Sequence, residues 1–193
     1  MNTALLIIDI QNDYFPGGAM ELVGSDAAAE CAAQVLDAFR SKGLPVVHVQ
    51  HLSTRPGATF FLPGTRGAEI HERVAPRAGE TVISKHYPNA FRETTLLEHL
   101  RGRDIGRLVI VGMMTHMCID TTTRAAADLG FECVLVHDAC ATRDLSFGGR
   151  TVPAATVQGA FMAALDGLFA KVESAPEACT RLHDSVERAA PLR

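Results

Sequence analysis

Three side chains that could act together in one reaction stand where buried segments of this chain end. Asp9 directly follows the apolar run ALLII, Lys85 follows TVIS, and Cys118 follows RLVIVGMMTHM. A carboxylate can take the proton of a thiol, and a nearby ammonium favours the thiolate that results. These three residues therefore predict nucleophilic attack by a sulfur atom on a carbonyl carbon.

Cys118 is expected to open a helix over residues 118–129. Unpaired backbone N–H groups and the helix dipole favour a thiolate at such a position, and the same N–H groups can stabilise an oxyanion. A buried and inert thiol is the alternative for any single cysteine. Cys140 is the strongest competing thiol, but it has no comparable helix start, so Cys118 is the expected nucleophile.

Short apolar runs alternate with longer helical patterns along the chain. We expect strands at 4–9, 45–50, 81–84, 107–111, 132–137 and 170–173, and helices at 25–42, 94–101, 118–129 and 152–168. This alternation predicts an α/β fold with a parallel sheet covered on both faces. Ligands of such sheets bind beyond the carboxyl ends of the strands. Asp9, Lys85 and Cys118 should therefore meet at one edge of the sheet.

The segment 52–79 has weak periodicity and is rich in proline and glycine. Long loops of this kind are usually functional, so we expect it to cover the active site, with 144–149 as a shorter second rim. The candidates to line a substrate pocket are Phe15, His51, Phe61, Tyr87, Phe91 and His116. Ordinary packing is the alternative for each of them.

A zinc site is an alternative to the thiol. His51, His86 and His116 follow three different strands and could hold a zinc ion with an open fourth position. The histidines form no close ligand pair such as HxxxH on a helix, so we favour hydrogen-bonding and pocket-lining roles for them.

Two non-enzymatic functions were also considered. A nucleotide-binding module would need a GxGxxG or GxxxxGK[ST] motif, and the chain has neither. A scaffold of the same fold that only binds a ligand is the second alternative. The complete set of Asp9, Lys85 and Cys118 argues against such a scaffold.

The composition argues against nucleic acid and membrane as partners, so we expect a small-molecule substrate. The 193 residues carry a formal net charge of -4 with no cluster of Lys and Arg, so we expect no nucleic-acid partner. No apolar run approaches the roughly 20 residues that span a bilayer, so we expect no membrane segment. The five cysteines form no CxxC pair, and the amino terminus has no basic region before its apolar run. Both features predict a reducing, cytoplasmic location.

Five stretches of the chain resemble the isochorismatase-like cysteine hydrolases, which include nicotinamidases and N-carbamoylsarcosine amidases. They are LLIIDIQNDY at 5–14, VVHVQH at 46–51, ISKHYPNAF at 83–91, VIVGMMTHMCIDTTTRAAADLGF at 109–131 and VHDACAT at 136–142. The resemblance implies a catalytic triad of Asp9, Lys85 and Cys118. It also implies a cis peptide between Met113 and Met114, with the N–H groups of Met114 and Cys118 as donors to the oxyanion.

The resemblance further implies the architecture. It implies one domain over residues 1–193, in three α/β/α layers around about six strands, with the core at about 4–172. The polar segment 175–193 is expected to extend across a neighbouring subunit or to fray. Relatives commonly assemble as homodimers or larger homo-oligomers, so a homo-oligomer is expected here.

The resemblance implies a small amide-like substrate and a thioester intermediate. Metal-dependent nicotinamidases carry Asp-x-His after the second strand, whereas this chain has Gln50, His51 and Leu52 there. We therefore expect neither a metal nor another cofactor. Isochorismatases that cleave a vinyl ether lack the cysteine, so Cys118 points to acyl chemistry. An ether hydrolase and a metal-dependent amidase remain the alternatives.

Overall fold

The described residues contain eight strands and five α-helices, and six of the strands form one sheet. The computed structural model describes the backbone of residues 2–187 and the side chains of residues 2–182. The strands are β1 (Asn2–Ile8), β2 (Val46–His51), β3 (Thr81–Lys85), β4 (Ile105–Met113), β5 (Glu132–Ala141), β6 (Leu145–Phe147), β7 (Arg150–Val152) and β8 (Lys171–Glu173). The helices are α1 (Ser25–Ser41), α2 (Leu96–Arg101), α3 (Asp120–Asp128), α4 (Ala154–Leu165) and α5 (Ala175–Glu187).

The main sheet has the strand order β3-β2-β1-β4-β5-β8, and all its neighbouring strands are parallel. Successive residues of a strand point to opposite faces of the sheet. Leu5 and Ile7 of β1 pack in a core with α1 and α5, whereas Leu6 and Ile8 pack in a second core with α2, α3 and α4. The predicted three-layer α/β/α fold with six parallel strands is therefore confirmed.

Two predicted helices have different bounds in the structure. The helical segment around Cys118 begins earlier, with a π-helical turn over Thr115–Ile119 that leads directly into α3. The predicted helix 152–168 is shorter, because residues 150–152 pair with 145–147 in an antiparallel hairpin and Pro153 precedes α4. The expected second rim at 144–149 is the first strand and turn of this hairpin.

The segment from residue 175, which was expected to lie outside the core, begins with a helix that packs on the core. Helix α5 packs against α1, and its residues Ala175, Ala178 and Leu182 are buried in the same core. Their spacing puts all three on one helix face, which is sufficient to bury the helix although its other faces are polar. Residues 188–193 lie outside the described part of the chain. No helix among the described residues is long and apolar enough to cross a membrane.

The 52–79 segment between β2 and β3 is fastened to the rest of the fold. The buried side chain of Gln11 donates hydrogen bonds to the carbonyls of Ala68 (2.7 Å) and His51 (2.8 Å) and accepts one from the His51 N–H (2.8 Å). Asp13 accepts a 2.6 Å hydrogen bond from the Phe61 N–H. These contacts connect the loop after β1 to the end of β2 and to the middle of the covering segment.

Candidate active site

The ammonium of Lys85 lies at the centre of a buried polar cluster. Its Nζ is 2.7 Å from Oδ2 of Asp9, 2.9 Å from Nδ1 of His51, 3.1 Å from the Tyr87 carbonyl and 3.2 Å from Sγ of Cys118. An ammonium has three protons, so these four acceptors more than satisfy it. The side chains predicted from three separate strand ends are thus brought together.

Adjacent parallel strands account for this convergence. Asp9 is the first residue after β1, and its N–H donates to the Val49 carbonyl of β2 (3.0 Å). Asp9 adopts a left-handed φ of 53°, which Asp tolerates better than most residues. Lys85 ends β3 and pairs in register with His51, which ends β2. The pairing of the strands therefore fixes the positions of Asp9, His51 and Lys85 without contacts from the loops.

Cys118 reaches the cluster through the turn after β4. Gly112 has a φ of 137°, and a Cβ there would overlap the carbonyl of Ile8, so only glycine allows β4 to pass β1 this closely. The next peptide bond, Met113–Met114, is cis. The Met114 carbonyl then accepts hydrogen bonds from the N–H groups of Met117 (3.0 Å) and Ile119 (3.2 Å), which shape the π-helical turn.

The surroundings of Cys118 do not favour the thiolate that the helix-start argument predicts. Burial raises the pKa of the Cys118 thiol most, the Asp9 carboxylate raises it further, and Lys85 opposes both. The Cys118 thiol therefore keeps its proton at neutral pH. A carboxylate oxygen of Asp9 lies within 4.8 Å of the sulfur, and Oδ1 of Asp9 has no hydrogen-bond partner among the described residues. Asp9 is thus an open acceptor for that proton.

Within the cluster, Lys85 is charged and His51 is neutral. Burial lowers the pKa of Lys85, but the combined effect of Asp9 and Cys118 outweighs burial and raises it, so the ammonium persists. Burial and the adjacent Lys85 charge lower the pKa of His51 to about 4. At neutral pH His51 is therefore uncharged, and its Nδ1 accepts a hydrogen bond from Lys85.

A cavity of about 550 Å³ opens onto Cys118. Its walls come mainly from the covering segment and from the residues after β2, β3 and β4. The lining residues are Tyr14, His51, Ser53, Arg55, Pro56, Gly57, Ala58, Thr59, Phe60, His86, Tyr87, Pro88, Met114, Met117 and Cys118. The Ser53 N–H donates to the Phe61 carbonyl (2.8 Å) and so closes the loop 54–60 that forms one wall. The size suits a small organic molecule.

Only His51 and Tyr87 of the six predicted pocket residues line this cavity. Phe15 stacks on the His71 ring 3.7 Å away, and Phe61 is buried against Tyr14. Phe91 stacks with Phe131, and Nδ1 of His116 lies 2.6 Å from the Thr142 hydroxyl. Apolar character alone did not distinguish residues that line a cavity from residues that pack beneath it.

Sequence reasoning missed Tyr14, Arg55 and Met117 as cavity residues. The glycine and proline content of the 52–79 segment was a signal that it covers the site. No periodicity in that segment indicated which side chain would turn inward, so Arg55 could not be selected.

The zinc alternative does not fit the structure. Nδ1 of His86 lies 2.8 Å from the Leu52 carbonyl, and His116 contacts Thr142, so the three histidines do not converge. Within residues 2–182, the ligand atoms that do converge belong to Asp9, His51 and Cys118. The Lys85 ammonium already contacts all three, and a divalent ion would have to displace it.

A family model and a curated relative both match this chain to isochorismatase family proteins. Residues 3–175 match the family model described as the isochorismatase domain. The chain is 52% identical over 174 residues to the uncharacterised isochorismatase family protein YddQ of Bacillus subtilis, covering 90% of this chain and 97% of YddQ.

Solved structures agree with this match. A protein from Oleispira antarctica, provisionally described as an isochorismatase hydrolase, superposes with a TM-score of 0.90 at 56% identity, covering 93% of this chain and 96% of that one. N-carbamoylsarcosine amidase from Thermoplasma acidophilum superposes with a TM-score of 0.76 at 25% identity, covering 91% of this chain and 97% of that one.

Proposed function

Since this chain belongs to the isochorismatase family, we propose that it is a cysteine-dependent hydrolase of the C–N bond in a small amide. One observation carries the proposal: the Lys85 ammonium bridges the Asp9 carboxylate (2.7 Å) and the Cys118 sulfur (3.2 Å) at the edge of a substrate-sized cavity. A base, a nucleophile and a fixed positive charge are the groups that acyl transfer to sulfur needs. The likeness to an amidase supports an amide rather than another acyl compound.

The first half of the reaction forms a thioester. The thiol of Cys118 gives its proton to Asp9 as the sulfur bonds to the amide carbonyl carbon, and an electron pair moves onto the carbonyl oxygen. The N–H groups of Met114 and Cys118 are the expected donors to this oxyanion. When the oxyanion collapses, the C–N bond breaks and Asp9 passes its proton to the departing nitrogen.

The second half of the reaction releases the acyl group. Water attacks the thioester carbonyl and gives a proton to Asp9, the C–S bond breaks, and that proton returns to the sulfur. One amide and one water thus yield one carboxylic acid and one amine. Lys85 keeps its charge throughout, while the negative charge moves from Asp9 to the carbonyl oxygen in each addition and returns to Asp9 when the oxyanion collapses.

A substrate panel tests this proposal. Small amides, carbamoyl compounds, esters and a vinyl ether are assayed with the native protein, Cys118→Ala and the matched control Cys140→Ala, which removes another buried thiol. We expect amide turnover that persists in Cys140→Ala and disappears in Cys118→Ala. Mass spectrometry of an acid-quenched reaction should show the acyl mass on the peptide that contains Cys118.

Other outcomes of the panel would contradict the proposal. Equal turnover by the native protein and Cys118→Ala would remove the covalent mechanism. Turnover of the vinyl ether alone would indicate the ether hydrolase instead. Turnover of nothing in the panel, with both proteins folded by circular dichroism, would indicate a ligand-binding scaffold.

A further inference from the structure

Among the residues whose side chains are described, those that line the cavity above Cys118 include a cationic one and no acidic one. The cationic residue is Arg55. Arg55 forms no ion pair in the part of the chain whose side chains are described, residues 2–182. Its guanidinium is therefore available to a ligand.

The other ionisable groups near the cavity leave the charge of Arg55 uncompensated. Asp9 lies fully buried beneath the cavity floor and is paired with Lys85. His51 is uncharged at neutral pH, since its pKa is lowered to about 4. Burial and the neighbouring Cys118 and Asp9 raise the pKa of Tyr14, so its phenol stays neutral. Among these groups, the charge of Arg55 at the cavity wall is the one that has no counter-charge.

We propose that the cavity selects small amides that also carry a carboxylate, and that Arg55 binds this carboxylate. This inference rests on the function proposed above and names the class of substrate. The planar guanidinium can offer two parallel N–H donors to the two oxygens of a carboxylate. Cys118 lines the same cavity, so the amide group of a molecule held at Arg55 lies in the space that the Cys118 sulfur also faces. Arg55 is thus a specificity-determining residue that does not touch the reacting atoms.

The local backbone presents Arg55 to the cavity. Its carbonyl accepts a hydrogen bond from the Ala58 N–H (3.1 Å), which forms a turn, and Gly57 in that turn has a left-handed φ of 77°. The turn lies within the loop that the Ser53–Phe61 hydrogen bond closes. The position of Arg55 therefore depends on a local turn and not on an ion pair that a substrate would have to break.

Three small amides that share a CH2–CH2–CONH2 segment test the effect of charge. Succinamate carries a carboxylate, succinamide replaces it with a neutral amide of the same shape, and β-alaninamide carries an ammonium. We expect kcat/KM for succinamate to exceed that for succinamide by about tenfold, the effect of one charge-assisted hydrogen-bonded pair near the surface. β-Alaninamide should be the poorest substrate.

Two variants locate the preference. Arg55→Gln should raise KM for succinamate about tenfold and leave kcat nearly unchanged, because the lost contact is equal in the ground and transition states. The control Arg150→Gln makes the same charge change on the exposed strand β7, away from the cavity lining, and should behave as the native protein. Arg55→Glu should reverse the order of succinamate and β-alaninamide.

A binding measurement keeps this inference separate from the catalytic proposal. Calorimetric titration of Cys118→Ala with succinamate and succinamide needs no turnover. We expect about tenfold tighter binding of succinamate, which disappears in the Cys118→Ala/Arg55→Gln double variant. Equal binding of the two compounds, or a preference that survives in the double variant, would overturn the role of Arg55. Turnover of succinamide by the native protein at the rate of succinamate would overturn it as well, while leaving the cysteine mechanism intact.

Discussion

The Nζ atom of Lys85 lies 2.7 Å from Oδ2 of Asp9, and neither side chain is exposed to solvent. Breaking a buried ion pair by removing one partner leaves an uncompensated charge in a medium of low dielectric. This ion pair therefore stabilises the arrangement of the site, and it contains both the carboxylate and the ammonium that the proposed reaction uses.

Removal of the Lys85 ammonium should destabilise the folded protein. We expect Lys85→Met to lower the free energy of unfolding by about 3–5 kcal/mol, because the Asp9 carboxylate loses its counter-ion. The double variant Asp9→Asn/Lys85→Met should recover part of that loss. Urea denaturation checks both variants. A matched control is Arg124→Met, which breaks the more exposed pair with Asp120 and should cost less than about 1 kcal/mol.

Asp9→Asn should abolish turnover and yet make the thiol easier to ionise. An amide cannot accept the proton of Cys118, so we expect kcat to fall at least about 100-fold. The Asp9 charge raises the pKa of Cys118 and Lys85 lowers it, so removing the carboxylate should lower that pKa. Iodoacetamide labelling of Cys118 across a pH series, quantified by mass spectrometry, should therefore begin at lower pH in the variant. A shift to higher pH would contradict the assigned electrostatics.

His51 should make the protein less stable in mild acid. Its pKa is lowered to about 4 in the folded state from 6.5 in the unfolded chain. As the pH falls through this window, the unfolded chain takes up a proton that the folded protein refuses, so stability is lost. Between pH 7 and pH 5 the loss is about 2 kcal/mol. Chemical denaturation at both pH values should show that His51→Gln lacks this part of the decrease. An unchanged decrease would assign the acid sensitivity to other groups.

Gln11 should fix the covering segment more firmly than its neighbour Gln50 does. Gln11→Met removes three hydrogen bonds to His51 and Ala68, whereas Gln50→Met removes one hydrogen bond to Ala68. At about 1 kcal/mol for each bond, we expect losses near 3 and 1 kcal/mol. Limited proteolysis should cut within residues 52–79 faster in Gln11→Met. Equal cleavage rates in the two variants would show that other contacts hold the segment.

The meeting of residues at the sheet edge could be predicted because topology alone brings them together. Asp9 and Lys85 end strands of one parallel sheet, and any such sheet places those ends at the same edge. His51 was considered as a zinc ligand, but the in-register pairing of His51 with Lys85 makes it an acceptor for the ammonium. That distinction depends on which strands are neighbours, which the sequence pattern does not state.

The cavity and the state of the thiol could not be predicted in the same way. Tyr14 and Phe15 are adjacent in sequence, yet only Tyr14 lines the cavity, because the irregular loop after β1 turns them apart. The position of Cys118 was expected to favour a thiolate, whereas its burial beside a carboxylate has the opposite effect. Burial depends on how loops pack, which the sequence pattern does not show.

The hydrogen bond from the Ser53 N–H to the Phe61 carbonyl separates the loop 54–60 from the sheet edge. The seven residues between them include none of Asp9, Lys85 and Cys118. Under the function proposed above, exchanging this loop between homologues, or randomising it in a library, should change which molecules enter while the cluster of Asp9, Lys85 and Cys118 stays intact. A new substrate preference can then evolve by substitutions confined to those seven positions.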